Sequence, residues 1–448
     1  MSALRRFVAG AAWLVLGIAG TPASGALPIE HWSTANGARV YFVESRGLPI
    51  LDVSVEFPAG SSSDTAVTSG LANLTLRTLR MGAGELDEEE VSRRIADVAA
   101  QLGTSFDVDR AGYTLRVLSV ATERSVAVET LAQILAQPRF EAAVVEREKA
   151  RVTAGLREAQ TKPDQIAARN LAHMVYRDHP YGLRGTGEVT SVEQLTPADL
   201  RAFHARYYVA SQAVIAIIGD VSRAQAALIA ETLTAKLPGG ADQPAAPPAL
   251  EALPQGVQRE VEHPSTQAHI LLGAPGMRRG DPDYFALWVG NYILGGGGFN
   301  SRFTREVREK RGLSYSVYSM FSPYRASGAF TIGLQTRRDR AGAALDVVRA
   351  TLREFVADGP TQAELEAAQQ NIIGGFALRV DSNRKILDYL AVIGFYGLPL
   401  DWLEQFPQRV SAVTVEQVRD AFRRRVDPER LATVVVGGGQ AAPAGTTP

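Results

Sequence analysis

Two stretches of the chain repeat each other in register. Val214-Ile215-Ala216-Ile217-Ile218-Gly219 is an apolar run closed by glycine. Thr433-Val434-Val435-Val436-Gly437 has the same character, and Gly437 lies 218 positions after Gly219. Each run follows a helix-start signal, Thr196-Pro197-Ala198-Asp199-Leu200 or Thr414-Val415-Glu416-Gln417-Val418, and these threonines are also 218 apart. Threonine is a good N-cap, and proline suits the first helical position because its ring fixes φ there. Residues 53–60 and 270–276 read as strands, each followed by a helical pattern. Two equal spacings in one register point to a tandem duplication. Helices and strands without strict alternation point to α+β units. The expected fold is two homologous tandem domains, each a mostly antiparallel sheet with helices packed on one face.

Between the halves, Leu237-Pro238-Gly239-Gly240 and then Pro244, Pro247, Pro248 and Pro254 show no hydrophobic period and read as a linker. The expected boundaries are 27–236 for the N-terminal domain, 237–256 for the linker, 257–438 for the C-terminal domain and 439–448 for a flexible tail. Residues 87–102 read as a helix: Asp87 and Glu90 form a capping box, Val91, Ile95, Val98 and Leu102 form a stripe, and Gly103 is the stop signal. A strand at 113–120 and helices at 123–137 and 141–160 follow. The second half repeats the theme with a strand at 328–336 and helices at 341–358 and 361–377.

Residues 1–26 read as an export signal. Arg5 and Arg6 form a basic start, Phe7 to Gly20 is an apolar run, and Ser24-Gly25-Ala26 offers small residues for cleavage. An uncleaved anchor is the alternative, but the run falls short of the ~20 residues a spanning helix needs, and no later stretch reaches that length. The expected mature protein is exported and has no integral membrane segment. With 47 Lys and Arg against 48 Asp and Glu, nothing marks a nucleic acid as partner. With no cysteine, disulfides, a thiolate nucleophile and Cys-ligated zinc are excluded.

The six histidines (His31, His173, His179, His204, His263 and His269) form no pair three or four apart, so they read as hydrogen-bonded structural or surface residues. Gly295-Gly296-Gly297-Gly298 lacks the Gly-Lys-Ser/Thr ending of a phosphate loop. It reads as a hinge or substrate-adjacent backbone, or else as a tight turn. The acids from Glu85 to Glu90 read as a solvated helix start, and Arg423-Arg424-Arg425 as a solvent-facing helix end.

Four segments carry a family likeness: Gly70-Leu71-Ala72-Asn73-Leu74-Thr75-Leu76-Arg77, Glu146-Arg147-Glu148-Lys149, His179-Pro180-Tyr181-Gly182, and Ser301-Arg302-Phe303 through Arg308-Glu309-Lys310-Arg311-Gly312-Leu313-Ser314-Tyr315-Ser316. In this order, over nearly the whole chain, they resemble the insulinase/pitrilysin-type zinc peptidases. The resemblance implies half of a clamshell chamber. That family's catalytic helix carries H-x-x-E-H, two zinc ligands around a general base. The corresponding positions here are Asn73, Leu76 and Arg77, and a third ligand, a Glu, would fall at Gly155. Leucine accepts no proton, glycine has no side chain, and an arginine stays protonated. No zinc is expected in this chain.

The resemblance further implies that Arg308 and Tyr315 bind substrate backbone and stabilise the tetrahedral intermediate at a zinc site, with Gly296 and Gly297 beside the substrate. A guanidinium and a phenol are suitable donors to an oxyanion. Two structural alternatives stand beside this: Arg308 in a last helical turn complements the dipole, and Tyr315, two before Val317, faces a core. The expected function is that of a non-catalytic subunit, inactive alone. It supplies Arg308 and Tyr315 to a paralogous H-x-x-E-H subunit that holds the zinc, and acts on peptides or unfolded proteins in the periplasm of a Gram-negative bacterium. The alternative is a non-enzymatic peptide-binding or structural core subunit.

Overall fold

In the computed structural model, residues 28–240 and 246–437 are described. The leader at 1–26, the tail at 439–448 and residues 241–245 of the linker lie outside them. Eleven strands form two sheets among the described residues. The first holds β1 (Glu30–Ser33), β2 (Arg39–Glu44), β3 (Ile50–Phe57), β4 (Gln101–Phe106), β5 (Ala111–Leu118) and β6 (Val214–Gly219). The second holds β7 (Val257–Val261), β8 (Gln267–Pro275), β9 (Ser314–Phe321), β10 (Ala329–Arg337) and β11 (Ala432–Val436). The orders β1-β2-β6-β3-β5-β4 and β7-β11-β8-β10-β9 coincide once β1 is set aside. In each sheet one pair is parallel, β2 with β6 and β7 with β11, and the rest are antiparallel. The duplication is therefore one topology used twice.

A strand buried on both faces needs cover on both, which explains the continuous apolar runs of β6 and β11. In β6, Ile215 and Ile217 enter the core under its own half's helices, while Ala216 and Ile218 point the other way. That second face is covered by helix Asn383–Tyr396 of the C-terminal half, through Ile386, Leu387, Leu390 and Ala391. Reciprocally, helix Pro163–Tyr176 of the N-terminal half lays Ala167, Leu171 and Val175 on Ala432, Val434 and Val436 of β11. The expected helices cover one face of each sheet, and an exchanged helix covers the other. Close approach is needed: a Cβ on Gly394 would stand 2.6 Å from the Tyr41 ring and 2.7 Å from Val214. Linker residue Leu253 is buried in the same seam.

A polar contact closes the seam. Asp109, buried on the loop between β4 and β5, accepts from the Tyr181 hydroxyl at 2.5 Å, the Tyr396 hydroxyl at 3.0 Å and the Arg325 amide at 2.8 Å. Tyr181 in turn accepts from the Ala326 amide at 3.1 Å. Tyr181 comes from the His-Pro-Tyr-Gly segment, and His179 there hydrogen-bonds the Pro248 carbonyl at 3.0 Å.

Most expected elements stand within a few residues, including Ala142–Ala159 and Ala341–Asp358. The helix read at 87–102 is shorter: it spans Glu88–Asp97, with the capping box formed, and Leu102 and Gly103 belong to β4. Its stop is Ala99 at φ +50°, where the Ala100 and Ala99 amides donate to the Ile95 and Ala96 carbonyls. This is a Schellman closure without its usual glycine. Of the arginines read as a solvent-facing helix end, Arg423 and Arg424 are exposed and Arg425 is half-buried, and the last two also tie that end to the turn after β8. Arg424 grips Asp283 at 2.7 and 2.8 Å, and Arg425 reaches Asp281 at 2.9 Å. No described helix is long and apolar enough to cross a membrane.

Candidate functional site

Helix Leu71–Thr78 carries the three positions aligned with the zinc motif. Asp64 holds its first turn, accepting from the amides of Gly70 at 2.9 Å and Ala72 at 3.0 Å. Burial pushes the Asp64 carboxyl up to about 7, against the pull of these two bonds. Leu76 is buried and its carbonyl accepts from the Tyr113 hydroxyl at 2.8 Å; Asn73 is half-buried and Arg77 is exposed. Arg77 lies 3.3 Å from Glu148, whose side chain is fully buried on the facing helix Ala142–Ala159. Glu148 also binds Arg151 at 2.6 Å and lies 3.5 Å from Arg147. Gly155 is exposed, two turns beyond Glu148.

These residues do not fit zinc. The aligned positions offer a hydrocarbon, a permanent cation, an amide and no side chain, while the neighbouring carboxylate is engaged by guanidinium groups. Among the described residues no group of three or more His, Asp or Glu is placed to hold a metal ion. The histidines that hydrogen-bond do so to backbone, as His204 does to the Leu135 carbonyl at 2.7 Å and His263 to the Thr161 carbonyl at 3.0 Å.

The second constellation is intact. Arg302 anchors it: buried, it grips Glu364 at 2.7 and 2.9 Å and the Gly359 carbonyl at 3.0 Å. Burial would raise Glu364, but the hydrogen bonds and charge of Arg302, the Thr361 amide and Arg305 together outweigh this and hold its carboxyl at about 2. The following turn, Thr304–Glu309, is π-helical. Gly312, at φ +58°, then reverses the chain into β9. Lys310 and Arg311 each pair with Glu306 at 2.8 Å, and Arg305 pairs with Glu364 at 3.2 Å. Arg308 has no such partner among the described residues. Its guanidinium carbon lies 4.4 Å from the Tyr315 ring centroid and 4.9 Å from that of Phe299.

Tyr315 does not face a core. Leu334 stands opposite Val317 and Thr336 opposite Ser314, so Tyr315 and Ser316 together face Gln335. This β-bulge breaks the alternation that would have placed Tyr315 beside buried Val317. The ring is 82% exposed, and Phe299 is 70% exposed. Along the glycine run, Tyr292–Gly296 is a π-helical turn followed by a 3₁₀ turn, Gly298–Asn300, that delivers Phe299 to Arg308. Gly296 is exposed and Gly297 half-buried.

The structure thus joins Arg308 to Tyr315, and Arg77 to the helix of Gly155. It shows no hydrogen bond, ion pair or ring contact between the two groups among the described residues. Sequence reasoning passed over Glu148, although it stands in the quoted Glu-Arg-Glu-Lys segment. It also passed over Asp64 and Phe299, which carry no local pattern.

Known proteins share this fold. The family model described as "Insulinase (Peptidase family M16)" matches residues 40–187, and "Peptidase M16 inactive domain" matches 194–372. An uncharacterized zinc protease of Mycobacterium leprae is 27% identical over 410 residues, covering 90% of each chain. The non-peptidase homolog YmxG of Helicobacter pylori is 24% identical over 399 residues, covering 89% of this chain and 91% of that one. A crystal structure of a peptidase M16 inactive domain from Pseudomonas fluorescens is 38% identical, with a TM-score of 0.89, covering 93% of this chain and 99% of that one. With both halves matched in order, this chain belongs to the insulinase family, peptidase family M16.

Proposed function

We propose that this chain is the zinc-less, non-catalytic subunit of a heteromeric insulinase-type metallopeptidase of the periplasm. Its partner is a paralogous H-x-x-E-H subunit, which brings the metal and the general base. This chain brings Arg308 and Tyr315. The observation that carries the reading is that Arg308, in a segment where every neighbouring cation has an internal carboxylate, has none and lies on an exposed tyrosine. A guanidinium edge and a phenol O–H, free of internal acceptors, can donate to the oxyanion that forms when a peptide carbonyl is attacked. The exported location is supported by the leader pattern at 1–26.

The test is reconstitution. The purified chain alone should cleave no unfolded-protein substrate, and its mixture with the H-x-x-E-H subunit should cleave it. A non-enzymatic peptide-binding or structural core role draws support from the name of the H. pylori relative. A stable complex in which this chain adds nothing to the partner's rate would favour that role.

A further inference from the structure

Where the aligned metal ligands would stand, this chain presents hydrogen-bond donors. Asn73 and Arg77 are four apart on helix Leu71–Thr78, so they share one face. The Asn73 amide makes no hydrogen bond among the described residues. Arg77 makes one, to Glu148 at 3.3 Å, and its side chain is 45% exposed. Most of its five N–H donors are therefore free. Glu148 cannot neutralise the group, because it is shared with Arg147 and Arg151, and Arg147 also binds Glu88. Three guanidinium groups thus stand against two carboxylates. On the facing helix, Gly155 is exposed and a Cβ there would meet nothing within 4 Å.

We propose that this face binds a peptide carboxylate, either a C-terminal one or that of an Asp or Glu side chain. A planar carboxylate matches the paired N–H edge of a guanidinium, and the Asn73 amide adds a donor one turn away. Glu148, fully buried, positions Arg77 from beneath and takes no part in ligand contact. The site belongs to this chain alone and does not depend on the proposed heteromeric complex.

The probe is a fluorescein-labelled octapeptide of alternating alanine and serine in three forms: free C-terminal carboxylate, C-terminal amide, and amide with one central glutamate. Fluorescence anisotropy with the purified chain should show the free acid binding about tenfold more tightly than the amide, as charge-assisted bonds require. This preference should shrink with added salt. Arg77→Gln should abolish it, and Arg77→Lys should keep part of it. Tight binding of the glutamate form would assign the site to acidic side chains. Equal affinity for all three peptides, no binding at about millimolar peptide, or a preference that survives Arg77→Gln would overturn the proposal. Failure here leaves the reconstitution test untouched, because that test reads Arg308 and Tyr315.

Discussion

The Arg308 guanidinium carbon lies 4.4 Å from the centroid of the Tyr315 ring, and that ring is 82% exposed. The pair is brought together by two departures from regular structure, the π-helical turn Thr304–Glu309 and the bulge in β9. Such departures recur at functional sites, where they aim side chains away from the core.

An exposed cation–π pair contributes only about 0.5–1 kcal/mol. Arg308→Ala and Tyr315→Ala should therefore each change the unfolding free energy of this chain by less than about 1 kcal/mol, measured by urea titration. A loss of several kcal/mol in either variant would make the pair a structural element.

Asp64 should leave a signature in pH. Its carboxyl stands at about 7 in the folded chain against an ordinary 3.8. Between those values the folded state holds a proton that the unfolded chain has released, so this group's contribution to stability falls as pH rises from about 4 to about 7. The stability of wild type minus that of Asp64→Asn should decline across that window and level off above it. Asp64→Ala, which removes the cap from helix Leu71–Thr78, should cost about 1–2 kcal/mol.

Ala99 holds a left-handed conformation at φ +50°. An L-residue with a Cβ is disfavoured there by about 1–2 kcal/mol, whereas glycine is not. Ala99→Gly should raise the urea midpoint, by up to about 1 kcal/mol of stability once the greater unfolded-state freedom of glycine is counted. A lower midpoint would contradict the Schellman assignment.

Asp109 serves both halves through Tyr181 and Tyr396. Removing one hydroxyl leaves the carboxylate the other hydroxyl and the Arg325 amide, while removing both leaves it that amide alone, so Tyr181→Phe and Tyr396→Phe should be non-additive by about 0.5–3 kcal/mol in a double-mutant cycle. Strict additivity would mean that the seam is held by its apolar contacts alone.

What was legible in the sequence was local or repeated. Thr196 and Thr414 cap their helices as expected, and β6 and β11 lie where the 218-residue spacing places them. The Arg308–Tyr315 pairing was accessible because a short reversal at Gly312 joins the two elements. The remainder depended on contacts distant in sequence. The exchange of helices Pro163–Tyr176 and Asn383–Tyr396 pairs residues of opposite halves. The Glu148–Arg77 pair spans 71 positions. The end of helix Glu88–Asp97 was hidden because its closing residue is alanine, and the exposure of Tyr315 because a bulge leaves no mark in an alternating pattern.

The most direct measurement is kcat of the reconstituted complex with wild-type chain and with an Arg308→Ala/Tyr315→Phe double variant. Losing one oxyanion donor typically lowers kcat by about 10²–10³-fold. The variant should therefore assemble with its partner at unchanged affinity, yet support turnover reduced by at least about a hundredfold. A variant complex that turns over as fast as wild type would contradict the role assigned to this chain.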